Sequence, residues 1–410
     1  MSKVKGKMLL FIGGGAEQVG TIKWAADQGI RPVVVDIAEN ALGFQYAEAT
    51  LTCDIRDIER ILAFAREQRV DGVTTVCLES GMSTVAYVVE QLGLPGLSPE
   101  ATLNVTNKYH MRRCWEKAGL PVPKYQLLTP DSLEDSDSLS FDNPWVVKPA
   151  DNAGSRGVQW VENHKDLAKA YHNALAFTRS GEVLVEEFIP GTEISVEGFV
   201  LRGELYVETL SDKNRSPFPY LFDLDIVYPS RYPEQIQREA VEQTRVAVKA
   251  LGIEWAPVHE ELMVTPDGQV YVMEIAGRGP GSKIYTSIIP HVSGVHPARV
   301  QVICALGDVP EKLDTIDPLR GATIMWFQSW RRARIKMFHG LEEGNNLPGV
   351  FECRMYKSEG EIAELCTSGD QRLGQLITMA DTWEEAVAVQ RKALEKFSIE
   401  YEDIKVERGV

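Results

Sequence analysis

Two apolar runs joined across Asp267-Gly268 constrain this chain more than any other stretch: ELMVTPDGQVYVME, from Glu261 to Glu274. Asp-Gly favours a two-residue hairpin turn. If those two residues form the turn, Pro266 pairs with Gln269, and counting outward sets Glu261 directly opposite Glu274 on one face. Side chains opposed in this way sit about 4.5 to 5.5 Å apart at Cβ, where like charges repel. Something must offset that repulsion. A hard divalent cation would, because Mg2+ takes carboxylate oxygens together with nucleotide phosphates and waters. The alternatives are carboxylates that face solvent, or neutralisation by Arg278 or Lys283.

A second constellation lies upstream, where Val146-Val147-Lys148 reads as a strand that delivers a lysine into the loop PADNAGSRGV. Gly154, Ser155 and Gly157 allow backbone N–H groups to approach an anion closely. Lys148 would supply a point charge to phosphate, and Arg156 could join it. The loop lacks GxxxxGK[ST] and is not a P-loop. Another lysine, Lys108, heads a helical pattern running from about Thr106 to Ala118, with Met111, Cys114 and Trp115 as its apolar stripe.

Around these features the chain changes character. Its first hundred residues alternate short apolar runs, such as Met8 to Ile12 and Pro32 to Asp36, with helical patterns, which predicts a parallel sheet with crossover helices. Gly13-Gly14-Gly15 opens a helix after a strand as in dinucleotide folds, but the fingerprint fails at Gln18, although Asp36 stands where a ribose acceptor would. LPGLSP, from Leu94 to Pro99, marks a lobe boundary. The runs WVVK, VLVEEFI, ISVEGFVL and LYVETL between Trp145 and Glu208 predict one mainly antiparallel lobe, and Leu133 to Asp142 a polar surface loop. Ser211 to Tyr232 reads as a long connection of the kind that can line a binding site. Near the end, Thr382 followed by Glu385 is a capping box opening a helix whose stripe is Trp383, Ala386, Val387, Leu394 and Phe397.

With 410 residues the chain has room for two to four lobes. Its 59 acidic against 43 basic residues, a formal charge of -16, argue against long contact with nucleic acid or an anionic membrane, so bound phosphate must be met by a local basic pocket. No run approaches the roughly 20 apolar residues that span a bilayer. The first apolar run is broken by three glycines and reads as a strand, not a signal peptide. Six cysteines without a CxxC pair point to reduced thiols in a cytoplasm.

In their order these motifs resemble the ATP-grasp superfamily, in particular its carboxylate-amine ligase branch with the biotin-carboxylase-like and purine-pathway members. The resemblance implies an α/β fold with an N-terminal Rossmann-like lobe over residues 1–100, an ATP-grasp domain over 101–315 whose antiparallel lid spans about 125–195, and a small α+β lobe over 316–410. It makes Lys108 and Lys148 the nucleotide lysines, and Gly154, Ser155 and Gly157 the flap over the phosphates. Glu186, Glu187, Phe188 and Ile189 in VEEFIPGTE become the adenine strip, read in part by the Glu186 carboxylate, and Glu193 the ribose acceptor. Glu261 and Glu274 become the ligands of Mg2+ (or Mn2+). Where the family often has asparagine two places after the second glutamate, this chain has Ala276.

The implied reaction is ADP-forming: the γ-phosphoryl group of ATP passes to a substrate carboxylate, and the acyl phosphate accepts an amine. Arg278 and Lys148 are the implied catalytic residues, with Lys213, Arg215 and Lys283 as further oxyanion contacts and Gly14, Gly15 and Glu79 on the acceptor side. A small-molecule carboxylate and amine are the implied partners, and a homodimer the implied assembly. A bicarbonate-activating carboxylase or carbamoyl-type enzyme and a non-catalytic ATP-binding regulator are the alternatives.

Overall fold

The computed structural model describes residues 3–130, 133, 139–310 and 319–404. Strands β1 (Met8–Ile12), β2 (Arg31–Asp36), β3 (Ala49–Thr52) and β4 (Gly72–Thr74) form a parallel sheet in the order β3-β2-β1-β4. Helices α1 (Val19–Asp27), α2 (Ile58–Gln68) and α3 (Met82–Leu92) connect and flank them, as the alternating pattern predicts. The glycine-rich turn serves the fold. Gly14 N–H donates to the Asp36 carboxylate at 2.7 Å, and a Cβ on Gly14 would sit 2.8 Å from Val34. Gln18, the residue that breaks the dinucleotide fingerprint, is buried and donates its amide to the Val76 carbonyl at 2.6 Å. Asp36 is therefore committed to holding the turn and not to a ribose.

The Pro-Gly punctuation leads into two helices where the sequence predicts one: α4 (Pro99–Thr106), capped by Ser98, and α5 (Lys108–Lys117). Asn107 ends the first and caps the second, its side chain accepting from Tyr109 N–H at 2.9 Å and His110 N–H at 3.2 Å.

The single antiparallel lobe expected between Trp145 and Glu208 divides into two sheets. One is the lid, in the order β5-β8-β6-β7, built from β5 (Tyr125–Leu128), β6 (Trp145–Pro149), β7 (Gln159–Val161) and β8 (Val183–Glu187), with α6 (Leu167–Leu175) packed on it. Of the expected polar loop, residues 134–138 lie outside the described residues. Its end is not polar surface: Leu139 and Phe141 are buried in the lid core with Trp145, Val147 and Tyr171.

The other sheet has eight strands, all paired antiparallel, in the order β13-β12-β9-β10-β11-β14-β18-β16. It starts with β9 (Thr192–Leu201) and β10 (Glu204–Arg215). Strand β11 (Asp223–Tyr228) follows, so the supposed long connection from Ser211 to Tyr232 is largely hairpin strand: Lys213 pairs with Ile226 and Asp212 with Val227. Helix α7 (Glu234–Leu251) covers one face, burying Ala240, Thr244, Ala247, Val248 and Leu251. Beyond it come β12 (Trp255–Val264), β13 (Val270–Ala276), the short α8 (Ile289–Ser293) and α9 (Pro297–Ala305).

The C-terminal strands β14 (Gly321–Phe327), β16 (Val350–Met355) and β18 (Gly374–Ala380) extend this same sheet. Only β15 (Ala333–His339), β17 (Ile362–Ala363) and β19 (Ser398–Glu402) form a separate one. Between them lie the single-turn α10 (Leu341–Asn345) and α11 (Trp383–Lys396). Thr382 caps α11 through Glu385 N–H at 3.3 Å. Ala386, Ala393 and the following Phe397 are buried, whereas Leu394, expected on the stripe, points outward.

Candidate active site

Between lid and central sheet lies a cleft of about 1380 Å³, open mouth included. The β12–β13 hairpin forms its floor, and its register is instructive. Val264 pairs with Val270, Met263 with Tyr271 and Leu262 with Val272, one residue out from the expected count, because the loop runs from Thr265 to Gln269 and is closed by Thr265 N–H to Gln269 O at 2.9 Å. A bulge at Met273 then inserts one residue, and Glu261 pairs with Glu274 after all. The two-residue turn is wrong and the carboxylate pairing is right, since the two displacements cancel. The Met273 carbonyl at the bulge accepts from Arg112 at 2.5 Å.

Neither Arg278 nor Lys283 neutralises this pair. Lys108 holds Glu274 at 2.9 Å, and Lys213 holds Glu261 at 2.5 Å. Burial opposes the charge on Lys108, but Glu274 and Glu79 outweigh it and keep its pKa raised. Burial likewise opposes ionisation of Glu261, yet Lys213 and His259 hold it well below the usual carboxylate range. Lys213 also meets Glu193 at 2.9 Å and Asp223 at 3.4 Å, so its ammonium stands among three carboxylates whose oxygens lie within 4.8 Å of one another. Ala276 lines the cleft and offers no side-chain oxygen. Two opposed carboxylates are a fitting hard-oxygen donor set for Mg2+ or Mn2+.

The lid side is organised by Glu186, which is sealed from solvent with Arg112 on one oxygen at 2.7 Å and Lys148 on the other at 2.5 Å. Burial pushes the Glu186 pKa up, but the two cations outweigh it and the carboxyl stays lowered; burial lowers Lys148 despite Glu186. Glu186 nevertheless lines the cleft beside Glu187, Phe188 and Ile189, the strip expected against an adenine, while the N–H groups of Glu187 and Phe188 donate to the carbonyls of Lys124 and Pro144. Phe188 packs edge-on against Phe218, itself stacked on Trp160 at 4.6 Å. Glu193 departs from the expectation. It is buried, is not among the residues lining the cleft, and pairs with Lys213 and Arg215, which leaves it no ribose to accept.

The flap follows β6 in a left-handed conformation at Gly154 (φ 72°), Ser155 (φ 57°) and Gly157 (φ 72°). A Cβ at Gly157 would also meet Phe177 at 2.9 Å. Asn152 organises its base: its side-chain oxygen accepts from Arg156 Nη2 at 2.7 Å and its backbone carbonyl accepts from Lys108 Nζ at 2.7 Å, so Lys108 is fixed where the flap begins.

On the far side Arg278 lines the cleft and donates to Glu79 at 2.8 Å; Glu79 keeps them paired against burial. Gly14, Gly15 and Lys283 are not brought into this cleft. Gly14 is packed as described above, and Lys283 lines a neighbouring cavity with Glu17 and Arg299. Three residues of the site escaped the sequence reading. Arg112 stands one helical turn after Lys108, and His259 two strand residues before Glu261, so periodicity alone places each on its partner's face. His259 meets Glu197 at 2.9 Å, which, working against burial, raises its pKa to about 9. For Arg372, which reaches the cleft from the C-terminal lobe, no local pattern exists.

A model described as an ATP-grasp domain matches residues 141–287, and one described as L-amino acid ligase C-terminal domain 2 matches residues 325–402. D-alanine--D-alanine ligase B of Chromobacterium violaceum is 27% identical over 54% of this chain and 73% of its own length. Alanine--anticapsin ligase of Bacillus subtilis is 26% identical over 64% of this chain and 60% of its own. In fold, the chain is similar to the crystal structure of an L-amino acid ligase from Bacillus licheniformis, with a TM-score of 0.83 at 23% identity, covering 97% of this chain and all of the other.

Residues 141–287 carry an ATP-grasp domain, and the chain as a whole shares its fold with the L-amino acid ligase structure. The chain is an ADP-forming, ATP-dependent carboxylate-amine ligase that makes carbon–nitrogen bonds, with ATP and Mg2+ or Mn2+ as cofactors. No helix among the described residues is long and apolar enough to cross a membrane.

Proposed function

We propose that both substrates are amino acids and that the product is a dipeptide. The observation that carries this is the Arg278–Glu79 pair at the edge of the cleft: a guanidinium for a carboxylate beside a carboxylate for an ammonium, the two charges an amino acid presents. The named relatives, which act on alanine or L-amino acids, support the same class.

In this reading Lys108, Lys148 and the N–H groups of Gly154, Ser155 and Gly157 hold the phosphates, and Glu187, Phe188 and Ile189 hold the adenine. Glu261 and Glu274 hold the divalent cation, which supplies charge neutralisation at the phosphates. The γ-phosphoryl bond to the ADP oxygen breaks as a bond to the substrate carboxylate oxygen forms. Arg278 steadies the oxyanion when the neutral amine of the second amino acid attacks the acyl carbon; the amine loses a proton and phosphate leaves. The closed flap keeps water from the acyl phosphate. Lys213 and Arg215 position Glu261 and Glu193. A homodimer in the cytoplasm completes the reading, supported there by six free cysteines, and light scattering tests the assembly.

The test is an ADP-release screen over pairs of amino acids with mass measurement of the product. Dipeptide formed in step with ADP is the expected result. Release of AMP and pyrophosphate, or ADP formation that requires bicarbonate and no amino acid, would overturn the proposal.

A further inference from the structure

Among the described residues, seven cationic side chains line the cleft. Six of them, Lys108, Lys148, Lys213, Arg215, His259 and Arg278, have a carboxylate partner within ion-pair distance. Among the described residues Arg372 has none. Its guanidinium lies over the Trp326 ring, 3.6 Å from the centroid, and Nη2 donates to the backbone carbonyl of Asp223 at 2.8 Å. Its Nε is buried without a hydrogen-bond partner. A guanidinium stays charged in proteins, and leaving one buried and unpaired is costly unless something anionic completes its contacts.

The segment that carries Arg372 is built for position. Gln371 accepts from Thr367 N–H at 2.7 Å and from Thr367 Oγ1 at 2.8 Å, and Gly369 N–H donates to the carbonyl of Gly154 in the flap at 3.2 Å. The C-terminal lobe is thus fastened to the flap at the point where it sends a cation beneath it. Stacking on Trp326 sets the plane of the guanidinium and leaves its edge for a ligand.

We propose that Arg372 is a substrate-binding residue, supplied by the C-terminal lobe, that receives an anionic oxygen of a reactant beneath the flap. The oxygen belongs either to an amino-acid carboxylate or to the nucleotide's terminal phosphoryl group; both present the same planar or near-planar acceptor edge to the fork of donors. The inference rests on the ligase reading above and deepens it, giving the C-terminal lobe a direct part in substrate capture.

Two arms test it in the full-length protein, comparing wild type with R372M and R372K. One measures binding of a non-hydrolysable ATP analogue with Mg2+ by calorimetry, and the other measures ADP release against amino-acid concentration. R372M is expected to weaken one arm by about tenfold to a hundredfold, the worth of a charge-assisted hydrogen bond. R372K should recover part of the loss and keep the wild-type melting temperature. Guanidinium ion added to R372M should restore activity, which a merely structural role would not show. A raised KM for amino acid with unchanged analogue affinity assigns the carboxylate, and weakened analogue affinity assigns the phosphoryl group. R372M and R372K matching wild type in both arms would overturn the inference. A wild type silent with every amino acid would instead sink the ligase reading, so the two failures are distinguishable.

Discussion

Two charge networks face each other across the cleft, and they differ in exposure. On the lid side, Arg112, Glu186 and Lys148 are sealed, with side-chain exposures of 0%, 1% and 9%. On the sheet side, Lys213 is equally buried, but two of the carboxylates it holds, Asp223 and Glu261, are 23% and 24% exposed. The sealed Glu186 cannot lose a partner without stranding a charge, so it acts as a scaffold that fixes Lys148 where that lysine also lines the cleft. A network open to the cleft can trade a lysine for a ligand. Residue type alone does not distinguish the two; burial does.

The comparison can be broken most directly at Glu186. Glu186→Gln leaves Arg112 and Lys148 buried without their counter-charge and should cost about 3 to 5 kcal/mol of stability, measured by denaturant unfolding. A variant as stable as wild type would put both networks in one class. The pH dependence follows the same carboxyl. Its folded pKa is lowered below the ordinary 4.5, so its contribution is present above pH 4.5 and is lost as pH falls through the lower folded value. Wild type should therefore lose stability below about pH 4.5 more steeply than Glu186→Gln.

Next in size is Glu261→Gln on the open side. Apparent affinity for Mg2+ in ADP release should fall by about tenfold to a hundredfold, while unfolding free energy moves much less than in Glu186→Gln. Equal losses of stability in the two variants would erase the contrast. Lys213→Met sharpens it: with the ammonium gone, Glu193, Asp223 and Glu261 remain clustered, and Mn2+ alone should raise the melting temperature of the variant more than that of wild type. A stabilisation of about 1 to 3 kcal/mol is the expected scale, and no difference between the two proteins would show that the lysine does not stand in for a cation. The smallest effect belongs to a site remote from both networks. Thr382→Ala removes the α11 cap and should cost about 1 kcal/mol without changing KM for any substrate.

What could be read in the chain was local. Alternating apolar runs declare the parallel sheet, Thr382 and Glu385 declare the start of α11, and counting outward from Asp-Gly sets Glu261 against Glu274 only because the longer turn and the bulge at Met273 cancel. Where short strand runs follow one another, nothing local says which sheet they join, and β6 and β8 enter the lid while β9 and β10 enter the large sheet. The resemblance sets Glu193 against the nucleotide because it transfers roles by position. In this molecule Lys213 and Arg215 already claim that carboxylate, which lies outside the cleft lining.

The sequence by itself therefore determined most of the elements and the order of the lysines and flap, because propensity, capping and side-chain alternation act over a few residues. Only the tertiary structure decided which charges are sealed and which are open, and brought Arg372 from the last lobe to the flap. Ion pairing and burial depend on distance in space, and Glu186 with Arg112, or Arg372 with Trp326, are neighbours only after the chain has folded.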